Sequence, residues 1–423
     1  MKVVCFGPGP QFKGGISNYN TSLAKALHKQ GAEVHIVSWT QQYPAIIPRD
    51  FMDRKSKMDF LEGTQIKVTY LTNYNNPLTW NKTVRFIKSL QPDIVIFQWA
   101  IALQGLPLGW MARSLLKSTS TEVIFDCHLV VQKEAASIDK YFCRFGLAAA
   151  HTYIAHAYKT VNELKELYPE NNFLVNESGT RARNGNPVII KLFHPIYDLF
   201  KPDFNFDKEK AKQELHLKRY VFLFFGFIRK YKGLHNVIRA FRLVADERKD
   251  VSLLIAGESF WNTLDNKKVS SKIKNTLFKW AKSLVLKQSE NEQDYHPIAI
   301  IDELNLTDHV TVVNRFIPNE EVPKYFQVSD CIVLYYLTAT PSGVESLSYN
   351  FNLPVLATRV GHFPETIRDG YNGYLAEPEN IESMAKQMIR FIDEPIPTGN
   401  VKESTKEMSW SNYVRAILQL GAG

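Results

Sequence analysis

The chain has 423 residues, with 51 Lys+Arg against 43 Asp+Glu, a formal net charge of +8. Its length exceeds what one ordinary core organises and predicts two or three domains. Hydrophobic residues at 45% and charged residues at 22% exclude global disorder, and no run of about 18 apolar residues marks a spanning helix. The opening Met1–Phe6 carries a single Lys and meets Gly7-Pro8 too early for a secretory signal. The four cysteines (Cys5, Cys127, Cys143, Cys331) show no metal-like or redox-like spacing. They read as reduced core thiols of a cytoplasmic protein. The charge is uneven: +7 over residues 1–200 and +1 over the rest. Nucleic acid, an anionic substrate and an anionic membrane surface are all open partners on charge alone.

In chain order, Lys2–Phe6 reads as a strand broken by Gly7-Pro8-Gly9-Pro10. Ile16, Tyr19, Leu23, Ala26 and Leu27 then follow helical spacing up to Gly31. Strands are expected at Val34–Trp39, Ile66–Leu71, Asp93–Trp99, Glu122–Phe125, Thr152–Ile154 and Val188–Leu192, separated by helical patterns. That alternation predicts a parallel sheet covered on both faces. Pro195, Pro202 and the charged run Asp207–Lys210 mark a domain junction near residue 200.

The alternation then restarts. Tyr220–Phe225 is a strand, Leu234–Val244 a helix, and Val251–Ala256, Val310–Val313, Asp330–Tyr335 and Val355–Thr358 are strands. Residues 262–296 interrupt it with more chain than a crossover needs. There Val269, Ile273, Leu277, Trp280 and Leu284 share a helical face whose other side is rich in lysine. The insertion reads either as an interfacial helix on anionic lipid or against a partner, or as a surface helix packed on its own domain.

Three loops carry candidate chemistry. Gly7–Gly15 combines glycines with a following helix N-terminus, a combination that suits phosphate or merely turns the chain. Position 12 is Phe where a dinucleotide fingerprint needs Gly, and the second strand ends in Trp39-Thr40-Gln41-Gln42 without a ribose-binding acid. An NAD enzyme is therefore disfavoured. Gly226…Arg229…Lys232-Gly233 places a guanidinium and an ammonium between a strand and a helix. That pair suits a diphosphate, or is a solvated basic turn. Ser342-Gly343-Val344 enters a further helix and offers free backbone N–H groups, or only an N-cap.

Taken as an ordered set, Gly14-Gly15, Gly226…Arg229…Lys232-Gly233, Leu353–Thr358, and Gly361…Pro364-Glu365 with Asp369-Gly370…Gly373 resemble a GT-B glycosyltransferase of the large retaining family 4. The likeness covers nearly the whole chain and is most specific from Tyr220 to Pro378. It implies an α/β fold of two Rossmann-like, doubly wound domains facing a central cleft. Residues 1–200 would form the acceptor-binding domain and 201–408 the nucleotide-sugar donor domain, with 262–296 as its helical insertion. The terminal helix, 409–420, would either cross back onto the first domain or close the second.

The resemblance also assigns residues. Arg229 and Lys232 would clamp the donor diphosphate, and Gly14 and Gly15 would approach the donor phosphate. Ser342, Gly343 and Val344 would offer backbone contacts to the phosphates, and Phe316 and Ile317 would cup the nucleobase. His128, following the strand Val123–Cys127, would stand near the transfer centre. Two family glutamates, eight residues apart, fall at Ala339 and Leu347, so both carboxylates are missing; Glu345, two residues before the second position, is the acid expected among the donor-binding residues. This looks like the branch with Thr-x-Ser-Gly-Val at that turn. No cofactor or metal is implied, and no ligand cluster of His and carboxylates is evident in the sequence. The expected function is transfer of a sugar, with retention, to a glycan or lipid-linked glycan in cell-surface polysaccharide or glycoconjugate synthesis. An inactive GT-B binding or scaffold protein is the alternative. The expected location is cytoplasmic, with peripheral contact to the inner face of the membrane, and nucleic acid is the least favoured partner.

Overall fold

The computed structural model describes residues 1–44, 51–130, 137–181, 185–259, 295–341 and 343–419. The lysine-rich insertion therefore lies outside the described residues except at its last two positions, and so does Ser342.

Apolar runs such as Ile94–Trp99 and Val251–Ala256 are buried along their whole length, as strands covered on both faces must be. The first sheet contains β1 (Lys2–Phe6), β2 (Glu33–Gln41), β3 (Lys67–Asn73), β4 (Ile94–Trp99), β5 (Glu122–Cys127), β6 (Thr152–Ala155), β7 (Leu174–Asn176) and β8 (Val188–Lys191). Their order is β3-β2-β1-β4-β5-β6-β8-β7, with every pairing parallel. The second contains β9 (Tyr220–Phe225), β10 (Val251–Ala256), β11 (Val310–Val313), β12 (Cys331–Leu334), β13 (Val355–Thr358) and β14 (Gly373–Ala376). It runs β11-β10-β9-β12-β13-β14, again all parallel.

Both sheets thus order their first six strands alike, with the winding direction reversing beside the first strand of each. Ligands of such sheets bind beyond the strand C-termini at that reversal. The loops leaving β1 and β9 are the two glycine-bearing loops singled out above. Two Rossmann-like units of this kind constitute a GT-B fold.

Side chains close several helix starts: Asn76 accepts from Leu78 N (3.1 Å), Asp207 from Lys210 N (2.9 Å) and Asn380 from Ser383 N (2.8 Å). The terminal helix Trp410–Leu418, capped by Ser409, packs against the helix Gly15–Lys29 of the first unit. One buried apolar cluster runs through both units, with Tyr197, Leu199 and Phe200 of the connecting segment among its members. A second fills the other face of the first sheet. All four cysteines are buried free thiols. No helix among the described residues is long and apolar enough to cross a membrane.

Candidate active site

The loop after β1 ends at Gly14, whose φ of 107° is left-handed and whose missing side chain would point into open space. The helix Gly15–Lys29 begins there with no side chain capping it and no acid in its first turn. Its first N–H groups and the positive end of its dipole therefore remain available to an anion.

From the second unit, the loop after β9 brings a cation to the same kind of place. Gly226 (φ 93°) leaves room so tight that an added Cβ would lie 3.0 Å from Lys232 Nζ and 3.6 Å from Val344 Cγ2. Lys232 is buried, and among the described residues its Nζ donates one long bond, to the Phe225 carbonyl (3.4 Å). Burial and then the neighbouring Arg229 push its ammonium down to about 7. The Arg229 guanidinium lies 5.2 Å from the Tyr231 ring centroid. Among the described residues no carboxylate pairs with this buried lysine, which stands beside a second cation; such a group suits an anionic ligand.

Tyr197 joins the two units at this point. Its hydroxyl donates to the Gly15 carbonyl (2.9 Å), and its ring occupies the space beside Gly343, where an added Cβ would lie 2.8 Å from it. The helix Gly343–Asn350 thus starts next to the helix Gly15–Lys29, and the two are in contact. Two helix N-termini and the Gly226–Gly233 loop come together around the connecting segment.

Phe316 and Ile317 lie on the loop after β11; Ile317 is buried, and Lys13 Nζ sits 5.0 Å from the Phe316 ring centroid. The same loop is clasped by the first unit. Asn319 N donates to Ser56 Oγ (3.0 Å), and Glu320 Oε1 accepts from Met58 N (2.6 Å) and from Lys57 N.

Glu345 differs from the role expected of it. Its carboxylate is buried and takes His362 Nε2 (2.5 Å), Thr366 Oγ1 (2.5 Å) and the Tyr349 hydroxyl (3.1 Å). It braces the helix Gly343–Asn350 from inside its own unit and is not open to a ligand. Ala339 and Leu347 are buried as well, so neither position offers a polar group.

His128 is buried at the end of β5, with Nε2 2.7 Å from Gln98 Oε1. Burial, against the pull of Asp126, drives its imidazole down to about 3, so it is neutral. The structure surrounds it with groups that no spacing in the sequence joined. His156 and His194 stand beside it, and one ring nitrogen from each of the three histidines lies within 4.8 Å of the others. Asp126 Oδ1 is 3.0 Å from His156 Nε2, and the Tyr19 and Tyr413 hydroxyls lie 2.9 and 3.1 Å from Asp126 Oδ2. His194 Nδ1 meets Ser346 Oγ (2.7 Å), tying the connecting segment to the helix Gly343–Asn350. The fold thus gathers three histidine rings that lie far apart in the sequence. The available signal was a His closely following three neighbouring strands: one residue after β5 and β6, three after β8.

Comparison with known proteins agrees with this architecture. A model described as "Glycosyl transferases group 1" matches residues 205–409, and one described as "Glycosyltransferase Family 4" matches residues 13–174. The chain belongs to the GT-B glycosyltransferases of the family 4 type. Among curated proteins it is similar to spore coat protein SA of Bacillus subtilis, 24% identical over 246 residues, 55% of this chain and 56% of that protein. It also matches an uncharacterized glycosyltransferase of Methanocaldococcus jannaschii, 40% identical over 68 residues, 15% of this chain and 19% of the other. The chain thus spans little more than half of the first relative and about a fifth of the second. In fold it is similar to Anabaena HepE, solved with UDP-glucose: TM-score 0.65, 16% identity, covering 99% of this chain and 98% of that one.

Proposed function

We propose that this chain transfers a glycosyl unit from a nucleoside diphosphate sugar to a glycan or lipid-linked glycan, with retention, in the making of a cell-surface polysaccharide or glycoconjugate. The observation that carries the reading is Lys232. It is a buried ammonium beside Arg229, in the loop that meets two helix N-termini. Such a space suits a diphosphate leaving group, whose charge grows as the glycosidic bond breaks. Backbone N–H groups of Gly15, Gly343 and Val344 would bind the phosphates, Phe316 and Ile317 would face the base, and His128 would contact the sugar as a neutral hydrogen-bonding group. No metal is required in this scheme, because fixed cations and dipoles supply the positive field. The family relationship and the UDP-glucose bound to the HepE fold support the donor class, and the spore coat relative supports a cell-surface product.

An anionic, lipid-side acceptor fits the first unit's surface. Leu78, Trp110 and Tyr141 are exposed on three successive packed helices, Pro77–Leu90, Gly105–Leu116 and Ser137–Leu147, among exposed Lys82, Arg85 and Lys140. Apolar side chains within a basic face suit peripheral contact with anionic lipid on the cytoplasmic side.

A second reading, a GT-B protein that binds a nucleotide without turnover, draws on the apolar Ala339 and Leu347. One experiment separates the two. The full chain is incubated with a panel of nucleotide sugars and lipid-linked acceptors, nucleoside diphosphate release is followed, and the anomeric configuration of the product is read by NMR. Transfer with the donor's configuration supports the proposal, inversion contradicts retention, and binding with neither transfer nor slow donor hydrolysis favours the second reading.

A further inference from the structure

Gln98 interrupts the apolar run of β4 one residue before its end, opposite Asp126 of β5, and it is buried. A carboxamide there costs free energy unless its polar atoms are put to use. Its Oε1 is used on His128, whose ring Nε2 stands 2.7 Å away. β4 holds the same residue a second time through the backbone, since His128 N donates to the Trp99 carbonyl at 2.9 Å. Packing takes up the ring's remaining freedom. The Tyr19 ring lies at 89° to it with centroids 4.5 Å apart, and the His156 centroid is 5.2 Å away. Gly7 completes the arrangement: a Cβ added there would lie 2.7 Å from Gln98 Cγ. The loop that leads to Gly14 therefore starts with a residue that leaves the Gln98 side chain its place.

We propose that Gln98 is a positioning residue for sugar transfer: it accepts the Nε2 proton of His128 and so presents the Nδ1 lone pair to a hydroxyl of the donor sugar. The inference rests on the function proposed above, which gives His128 to the sugar. A neutral imidazole has one donor and one acceptor nitrogen, and the partner of the first decides the role of the second. With Nε2–H donating to a carboxamide oxygen, Nδ1 can only accept. A carboxamide suits the task better than a carboxylate, because it carries no charge that would draw a second proton onto the ring and turn the acceptor into a donor. The titratable groups around the ring are Asp126 of β5, His156 after β6, His194 of the connecting segment and Tyr19 of the helix Gly15–Lys29. Burial holds the ring neutral against Asp126, with His156 adding to its effect.

The test uses the full chain, isotopically labelled in its histidines. The His128 tautomer is read by long-range nitrogen–proton NMR, its signals identified by their loss in His128→Asn. The wild-type ring should be neutral near pH 7 with its proton on Nε2, a reading that stands whether or not any variant folds. In Gln98→Leu both tautomers should appear. There kcat, for whichever nucleotide sugar the wild-type chain turns over fastest, should fall roughly tenfold, while KM and nucleoside diphosphate affinity hold. Gln98→Glu keeps an acceptor for Nε2–H but adds a charge that raises the ring's pKa. Its transfer rate should approach the wild-type value at alkaline pH and fall as pH drops through the raised pKa, a limb that the wild-type profile lacks. A wild-type ring with its proton on Nδ1, or a folded Gln98→Leu with the wild-type tautomer and kcat, would each overturn the proposal. Absence of turnover by the wild-type chain would instead overturn the transfer reading, and the NMR arm, which needs no donor, would still decide whether Gln98 sets the ring.

Discussion

The Tyr197 hydroxyl donates to the Gly15 carbonyl across the seam between the two units, at 2.9 Å. The bond fixes the start of the helix Gly15–Lys29 relative to the connecting segment, and the same ring abuts Gly343 at the start of the facing helix. Tyr197→Phe should cost about 1 kcal/mol of stability, the net worth of one neutral hydrogen bond. Gly343→Ala should do more to the site, because its Cβ would sit 2.8 Å from the Tyr197 ring and force the ring or the helix to move. Nucleoside diphosphate affinity should fall by roughly tenfold in Gly343→Ala, as misplacement by an ångström is enough to lose that much. Calorimetry alongside thermal melts separates the two effects.

Lys232 predicts a pH dependence with a definite sign. With its ammonium brought down to about 7 by burial and Arg229, the group is charged below that value and neutral above it in the free protein. Diphosphate affinity should therefore fall as pH rises through 7 to 9, by up to roughly tenfold per unit, because binding must then take up a proton. Lys232→Met should abolish the fall. The stability dependence runs the opposite way: between about 7 and the ordinary lysine value the unfolded chain binds more protons, so folding stability rises with pH across that window.

Arg181 anchors the terminal helix. Its Nε meets Glu122 Oε1 at 2.8 Å, and its guanidinium donates to the carbonyls of Ala416 (3.1 Å), Ile417 (2.5 Å) and Gln419 (2.8 Å). The side chain is buried, so Arg181→Met strands the Glu122 charge and the helix carbonyls together. Loss of one partner of such a buried pair costs about 3–5 kcal/mol. The thermal midpoint should drop sharply, and limited proteolysis should begin at the C-terminal helix.

Glu320 tests the clasp over the loop bearing Phe316. Its carboxylate accepts from the Met58 and Lys57 amides at an exposed position. Glu320→Ala should change stability by less than about 1 kcal/mol. It should raise the KM for a nucleotide sugar several-fold while leaving kcat nearly unchanged, if the clasp acts on donor capture. Steady-state kinetics with the cognate donor measures both.

Most of the framework was legible in local pattern. Lys2–Phe6, Tyr220–Phe225, Val251–Ala256, Val310–Val313 and Val355–Thr358 form strands over the expected residues, because uninterrupted apolar runs bounded by Gly, Pro or charge leave few other solutions. Leu174–Asn176 and Gly373–Ala376 are too short to stand out, and only pairing with β8 and β13 makes them strands. The loops bearing Gly14 and Lys232 were legible for the same local reason: glycines and cations between a strand and a helix. What stayed hidden depends on contacts between distant residues. His156 meets Tyr413, 257 positions away, and Arg181 reaches Ile417, 236 positions away. Glu345 shows the converse. Its position beside the Ser-Gly-Val turn suggested a ligand contact, and only the tertiary partners His362, Thr366 and Tyr349 reveal that its carboxylate faces inward.

The central claim is that Lys232 and Arg229 hold the donor diphosphate. It is tested most directly by titrating the wild-type chain, Lys232→Ala and Arg229→Ala with nucleoside diphosphates, with melts run in parallel to confirm folding. The account predicts one saturable site in the wild-type chain, weakened by at least roughly tenfold in each variant through loss of a charge-assisted contact. Equal affinity in all three folded proteins would contradict it.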